Sequence, residues 1–134
     1  MYNHILIPVA PGHIAETGQA LSVARKLLEP GGKISVLTVL EEVPSHIGEY
    51  VPPDYLVTSL AQVTVDLETE FKTEGIETHA TTGHAANSIL DWANGHGVDC
   101  IAIASHRPGF VDYLIGSTAA RVARHAKCSV HVLR

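Results

Sequence analysis

Five short runs of β-type residues alternate strictly with four segments of helical period, and that alternation admits very few folds. The runs are 4–9 (HILIPV), 33–40 (KISVLTVL), 76–82 (IETHATT), 99–104 (DCIAIA) and 129–133 (SVHVL). Each has the length of a strand, and most are enriched in β-branched residues. The first and fourth are nearly continuous in apolar side chains, as expected of central parallel strands covered on both faces. Between them, Ala20, Leu21, Ala24, Leu27 and Leu28 recur with helical spacing until Pro30-Gly31-Gly32, which predicts a first helix ending there. A second helix is predicted over 54–74, with Leu56, Leu60, Val63, Leu67 and Phe71 on one stripe and Gly75 beyond it. Residues 85–95 and 117–126 predict the third and fourth.

Right-handed crossovers turn this order into a single doubly wound, parallel five-stranded sheet sandwiched by four helices. Such sheets bind ligands beyond the carboxyl ends of their strands, where the connection order reverses. The loops expected there are 10–14, 41–53, 83–84 and 105–116. The 41–53 stretch carries three prolines and a glycine, and a loop of that length in a compact domain suggests a functional or mobile segment, such as a lid.

Composition narrows the functional classes. At 134 residues with 46% hydrophobic side chains, one domain spanning 1–134 can bury a core without metal or disulfides. Nine basic against fourteen acidic residues give a net charge of −5, which offers no broad cationic face for nucleic acid. Cys100 and Cys128 sit inside apolar runs, reading as buried thiols of a reducing compartment. No apolar stretch approaches the roughly 18 residues of a membrane span, and the chain enters Ile5-Leu6-Ile7 with no basic lead. The expectation is a cytoplasmic protein, neither exported nor anchored.

The segment from Ala104 to Thr118 is the richest in polar chemistry. A helix beginning at Gly116-Ser117-Thr118 would present free backbone N–H groups and two hydroxyls to an anion, phosphate above all. Ser105, His106 and Arg107 stand across the same loop, and an Arg fork matches phosphate oxygens. The alternative is that Ser117 is an N-cap and Arg107 a solvated charge. Nine histidines are present, but none is spaced i, i+4 on a helix or i, i+2 on a strand, so no resident metal is expected. His84 and His106, on loops at the ligand end, are the two that could bond phosphate. Glu41, Glu42 and Asp112 could approach Mg²⁺ carried by a nucleotide. No Walker lysine, nucleophile elbow or paired catalytic carboxylates occur.

The stretch ASHRPGFVDYLIGSTAARVARHAKCSVHVLR resembles the universal stress protein family, in particular the subgroup whose phosphate loop reads Ser-His-Arg-Pro followed by Tyr-Leu-(Leu/Ile)-Gly-Ser. The NHILIPVA start, KISVLTVL, TTGHAANSIL and the closing CSVHVLR extend the resemblance to essentially the whole chain. It implies a flavodoxin-like, adenine-nucleotide alpha-hydrolase-like fold and a homodimer paired through the last strand, Ser129, Val130, His131, Val132 and Leu133. It also implies an ATP or AMP site at the carboxyl end of the sheet, with Mg²⁺ possible alongside ATP. Carried over by position, Pro8, Val9, Ala10 and Val39 would line the adenine end and Gly83 the ribose. Ala104, Ser105, His106, Arg107, Gly116, Ser117 and Thr118 would surround the phosphates.

The family's loop is Gly-x-x-Gly followed nine residues later by Gly-(Ser/Thr), and only Gly116-Ser117 is intact. Ala104 replaces the first glycine, and the second is lost around Arg107-Pro108 in a loop one residue shorter. Ala10-Pro11-Gly12 stands where relatives carry an Asp near the adenosine. Three functions follow: a regulatory adenine-nucleotide binder with at most slow ATP hydrolysis, a dimeric interaction module with a degenerate pocket, or a small acyl- or phosphoryl-transfer enzyme using His106 as base.

Overall fold

The computed structural model describes residues 1–41, 51–72, 74–105 and 116–134. Its strands are β1 (Tyr2–Pro8), β2 (Leu28–Leu40), β3 (Glu77–Thr82), β4 (Cys100–Ala104) and β5 (Ser129–Leu133), and its helices α1 (Gly18–Leu27), α2 (Tyr55–Phe71), α3 (Ala85–Gly95) and α4 (Ser117–His125). All strand pairs are parallel, in the order β3-β2-β1-β4-β5. The two runs with the most continuous apolar character are thus interior strands, as their composition requires.

Alternation of side chains across the pleat divides the core into two layers. Ile5, Ile7, Ile34 and Val36 meet Leu21 and Ala24 of α1 and Val63, Leu67 and Phe71 of α2. Leu6, Leu37, Ile101 and Ile103 meet Ala86, Ile89 and Ala93 of α3 and Ala119 and Val122 of α4. Ile5, Leu6 and Ile101 have no exposed surface, and burying each side chain contributes about 1.5–3 kcal/mol. Among the described residues no helix is long and apolar enough to cross a membrane.

Three local expectations are corrected. Pro30-Gly31-Gly32 does not terminate a helix that includes Leu28: α1 stops at Leu27, and Leu28 already pairs with Tyr2. Between that pair and His4↔Lys33 the chain advances two residues on β1 and five on β2, so the Pro-Gly-Gly unit is a bulge inside a strand pairing. Residues 10–14 are not an open loop either; a 3-10 turn runs from Pro11 to Glu16, with Pro11 supplying a pre-set φ at its start. Helix α2 is also shorter than 54–74, ending at Phe71. The proline-rich 41–53 stretch lies outside the described residues over 42–50.

At the amino end of the sheet, side chains distant in sequence form one polar network. His4 is 5% exposed; its Nδ1 lies 3.0 Å from the His96 carbonyl oxygen and its Nε2 2.8 Å from Ser35 Oγ. A carbonyl only accepts, so Nδ1 donates, and in the neutral ring Nε2 accepts from the Ser35 hydroxyl. Ser35 also approaches Glu77 Oε2 at 3.4 Å. Trp92 stacks on His96 with centroids 3.8 Å apart and leans on His79 at 4.8 Å. The backbone N–H groups of Asn3 and His4 donate to the Asp99 carboxylate at 2.9 and 3.0 Å. Partial desolvation would raise that carboxyl, but the N–H donors outweigh it and hold it below its ordinary value.

Candidate functional site

Because every strand runs the same way, their carboxyl ends share one rim. The chain leaves β1 through Val9, whose N–H donates to the Leu37 carbonyl at 2.9 Å. It leaves β3 through Gly83, whose N–H donates to the Leu40 carbonyl at 2.9 Å. Gly83 has φ +144°, a conformation that only glycine adopts without strain, and it lets the chain turn directly into α3. Ser105, 1% exposed, follows β4 and donates its N–H to the Leu133 carbonyl at 2.8 Å. The Ser105 carbonyl accepts in turn from the Gly116 N–H, and this contact brings the start of α4 to the end of β4.

Gly116 occupies the N-cap of α4 and makes no side-chain cap hydrogen bond, having no side chain to make one. The first N–H groups of the helix stand at the positive end of its dipole, beside the hydroxyls of Ser117 and Thr118. They open onto a cleft of about 380 Å³. Among the described residues its polar lining is Ser117 and Thr118, then Arg121, Arg124 and His125 further along α4, with Glu41 and His84 opposite, and its apolar lining is Ala86 and Ala120. His84 caps α3, its Nδ1 accepting from the Asn87 N–H at 3.3 Å. That bond assigns the neutral ring's proton to Nε2, which becomes a donor.

Of the residues singled out by sequence, Ser117, Thr118, His84 and Glu41 come together in this cleft. Pro8, Val9, Ala10, Val39, Gly83, Ala104, Ser105 and Gly116 stand at the same carboxyl rim without lining it. Val9 belongs to the core layer beneath α1 and α2, Val39 to the layer beneath α3 and α4. His106 and Arg107, with Glu42 and Asp112, lie outside the described residues. The sequence reading missed Arg121, Arg124 and His125. Their spacing with Ser117 and Thr118 is the signal, since positions 117, 121 and 124, or 118, 121 and 125, fall on one helical face. Among the described residues no three His, Cys, Asp or Glu side chains converge as ligands for a metal ion.

The chain matches the universal stress protein family over residues 1–134. It belongs to that family. Universal stress protein G of Shigella flexneri and that of Escherichia coli O157:H7 are each 27% identical to it over 152 residues, with both chains covered completely. Among solved structures, universal stress protein UspA from Lactobacillus plantarum superposes with a TM-score of 0.75 at 21% identity, covering 99% of this chain and 98% of that one. A universal stress protein crystallised in complex with cAMP superposes with a TM-score of 0.61 at 14% identity, covering 99% and 97%. These likenesses are to the overall fold that the five-stranded parallel sheet of this universal stress protein builds.

Proposed function

We propose that this universal stress protein is a cytoplasmic homodimer that binds an adenine nucleotide, ATP or AMP, and acts by regulation rather than turnover. The single observation that carries the reading is the N-terminus of α4, begun by a glycine with no side chain of its own to cap it, with the Ser117 and Thr118 hydroxyls beside it, facing a cleft large enough for a small ligand. Gly116, Ser117, Thr118 and Ser105, joined by His106 and Arg107, receive the phosphates. Pro8, Val9, Ala10, Val39, Gly83 and Ala104 flank the nucleoside. The relative crystallised with cAMP supports an adenine ligand. Where ATP arrives with Mg²⁺, Glu41 is the carboxylate in the cleft lining able to face it. With no general base in the described lining other than histidine or that carboxylate, hydrolysis is slow and incidental, resting on positioning and charge stabilisation.

Stoichiometric ATP or AMP released on denaturing the purified protein, together with a melting temperature that rises with added nucleotide, is the expected result. Arg107→Ala combined with Ser117→Ala should weaken ATP binding in calorimetry by about tenfold or more, and an unchanged affinity would sink the reading. Ala10 and Ala104, standing where relatives carry an Asp and a glycine, favour a second reading in which the pocket is vestigial and the dimer is an interaction module. An empty protein whose melting temperature ignores nucleotide selects it.

The homodimer is proposed through β5, which lies at a sheet edge with Val130 and Val132 half-buried and Ser129 and His131 exposed. Such an edge presents unpaired backbone groups to a second copy. Sedimentation at micromolar concentration should give twice the chain mass; a monomer there removes the dimer.

A further inference from the structure

The cleft is longer and more cationic than a single phosphate requires. Ser117, Arg121 and Arg124 follow one another at i, i+4 and i+7, covering about 10 Å of helix axis. Arg121 and Arg124 are exposed and make no ion pair or hydrogen bond among the described residues. Arg25 and Lys33, by contrast, are engaged with Glu74 and Glu77. Opposite α4, His84 presents a Nε2 donor because its Nδ1 is committed to the Asn87 N–H. His125 extends the nitrogen-rich lining at the far end. Among the described lining residues Glu41 is the single acid, set against the two guanidinium groups.

We propose that this face of α4 is a rail for a linear polyphosphate chain. The first phosphate sits at the helix N-terminus, on Ser117 and Thr118, and the following ones run along Arg121 and Arg124 towards His125. A helix N-terminus alone suits one phosphate; two unpaired guanidinium forks one turn apart, on the same face, continue the donors over the length of a triphosphate. The protein therefore distinguishes ligands by the number of linked phosphates, favouring a nucleoside triphosphate over a monophosphate. The inference rests on the nucleotide reading for its adenosine end only; inorganic tripolyphosphate shares the chemistry that the rail recognises.

Calorimetric titration of the full-length protein with AMP, ATP and inorganic tripolyphosphate tests it, alongside the Arg121→Gln/Arg124→Gln double variant. Lys26→Gln, an exposed charge on α1, controls for net charge, and thermal melts check that each variant folds. ATP should bind at least about tenfold more tightly than AMP. The double variant should weaken ATP and tripolyphosphate by about 10- to 30-fold while changing AMP less than about twofold. Equal affinities for AMP and ATP, or equal losses of both in the double variant, overturn the rail and leave the nucleotide reading standing. Binding of tripolyphosphate that depends on the two arginines, with neither nucleotide bound, supports the rail and overturns the nucleotide reading. Failure of all three ligands to bind overturns both.

Discussion

Replacing Gly32 by alanine is expected to destabilise the protein by about 2–3 kcal/mol, lowering its melting temperature by about 10 °C. A Cβ at this position would lie 2.7 Å from Leu28 Cδ1, 2.9 Å from the Asn3 carbonyl oxygen and 3.0 Å from that of Glu29. The leucine can rotate away, but the two oxygens belong to backbone whose pairing is fixed by Tyr2↔Leu28 on one side and His4↔Lys33 on the other. Relief therefore requires opening the bulge, which shifts the start of β2 against β1. Gly12→Ala serves as the comparison, since nothing lies within 4 Å of the Cβ it would add. A melt in which both variants behave alike would show that the bulge yields freely.

The second large effect belongs to the amino-end network. Ser35→Ala removes the partner of a ring nitrogen on a residue that is 5% exposed, and an unsatisfied buried polar group costs about 1–3 kcal/mol. The same network makes stability depend on pH. Burial lowers the His4 pKa below its ordinary 6.5, with Lys33 acting in the same direction, while the His96 carbonyl, Glu77 and Asp99 oppose it. A histidine whose folded pKa is depressed binds fewer protons in the native state than in the unfolded one. Its contribution is therefore fully present above the unfolded value and is lost as pH falls through the folded value. Protonation also reverses the hydrogen bond. Nε2 must then donate to Ser35, whose own proton turns to the Glu77 carboxylate 3.4 Å away. Thermal melts between about pH 7.5 and 5 should show stability falling below the ordinary histidine range, with a shallower fall in His4→Gln. Parallel profiles for the two proteins would remove His4 from the account.

The fold was legible because its determinants are local. Ile5-Leu6-Ile7 and Cys100-Ile101-Ala102-Ile103 announce strands covered on both faces, and the apolar stripes of α2 and α3 announce which side each helix buries. Leu28 was misread because Pro-Gly-Gly is a sound helix terminator by local rules, whereas the pairing of Leu28 with Tyr2 is made by a distant strand. The site was legible only in part. Ser117 and Thr118 stand out beside the glycine of a helix start, yet Arg121, Arg124 and His125 look in sequence like the ordinary solvated face of an amphipathic helix. Only the cleft on that face separates the two meanings. Trp92 and His96 are four residues apart at the end of α3, but the convergence of His4 and His79 on them leaves no trace in spacing, because β1 and β3 contribute separately.

The two ends of the sheet are joined by α3, which begins at the cleft with His84 and reaches the histidine network at Trp92 about 12 Å further along its axis. Trp92 is the only tryptophan of the chain. The molecule thus carries an intrinsic optical probe embedded in the structure that holds β1, β2 and β3 in register, remote from the rim where ligands are received. Its emission is a gauge of whether the scaffold is intact rather than of whether the cleft is occupied, so unfolding and ligand occupancy can be followed separately in one sample.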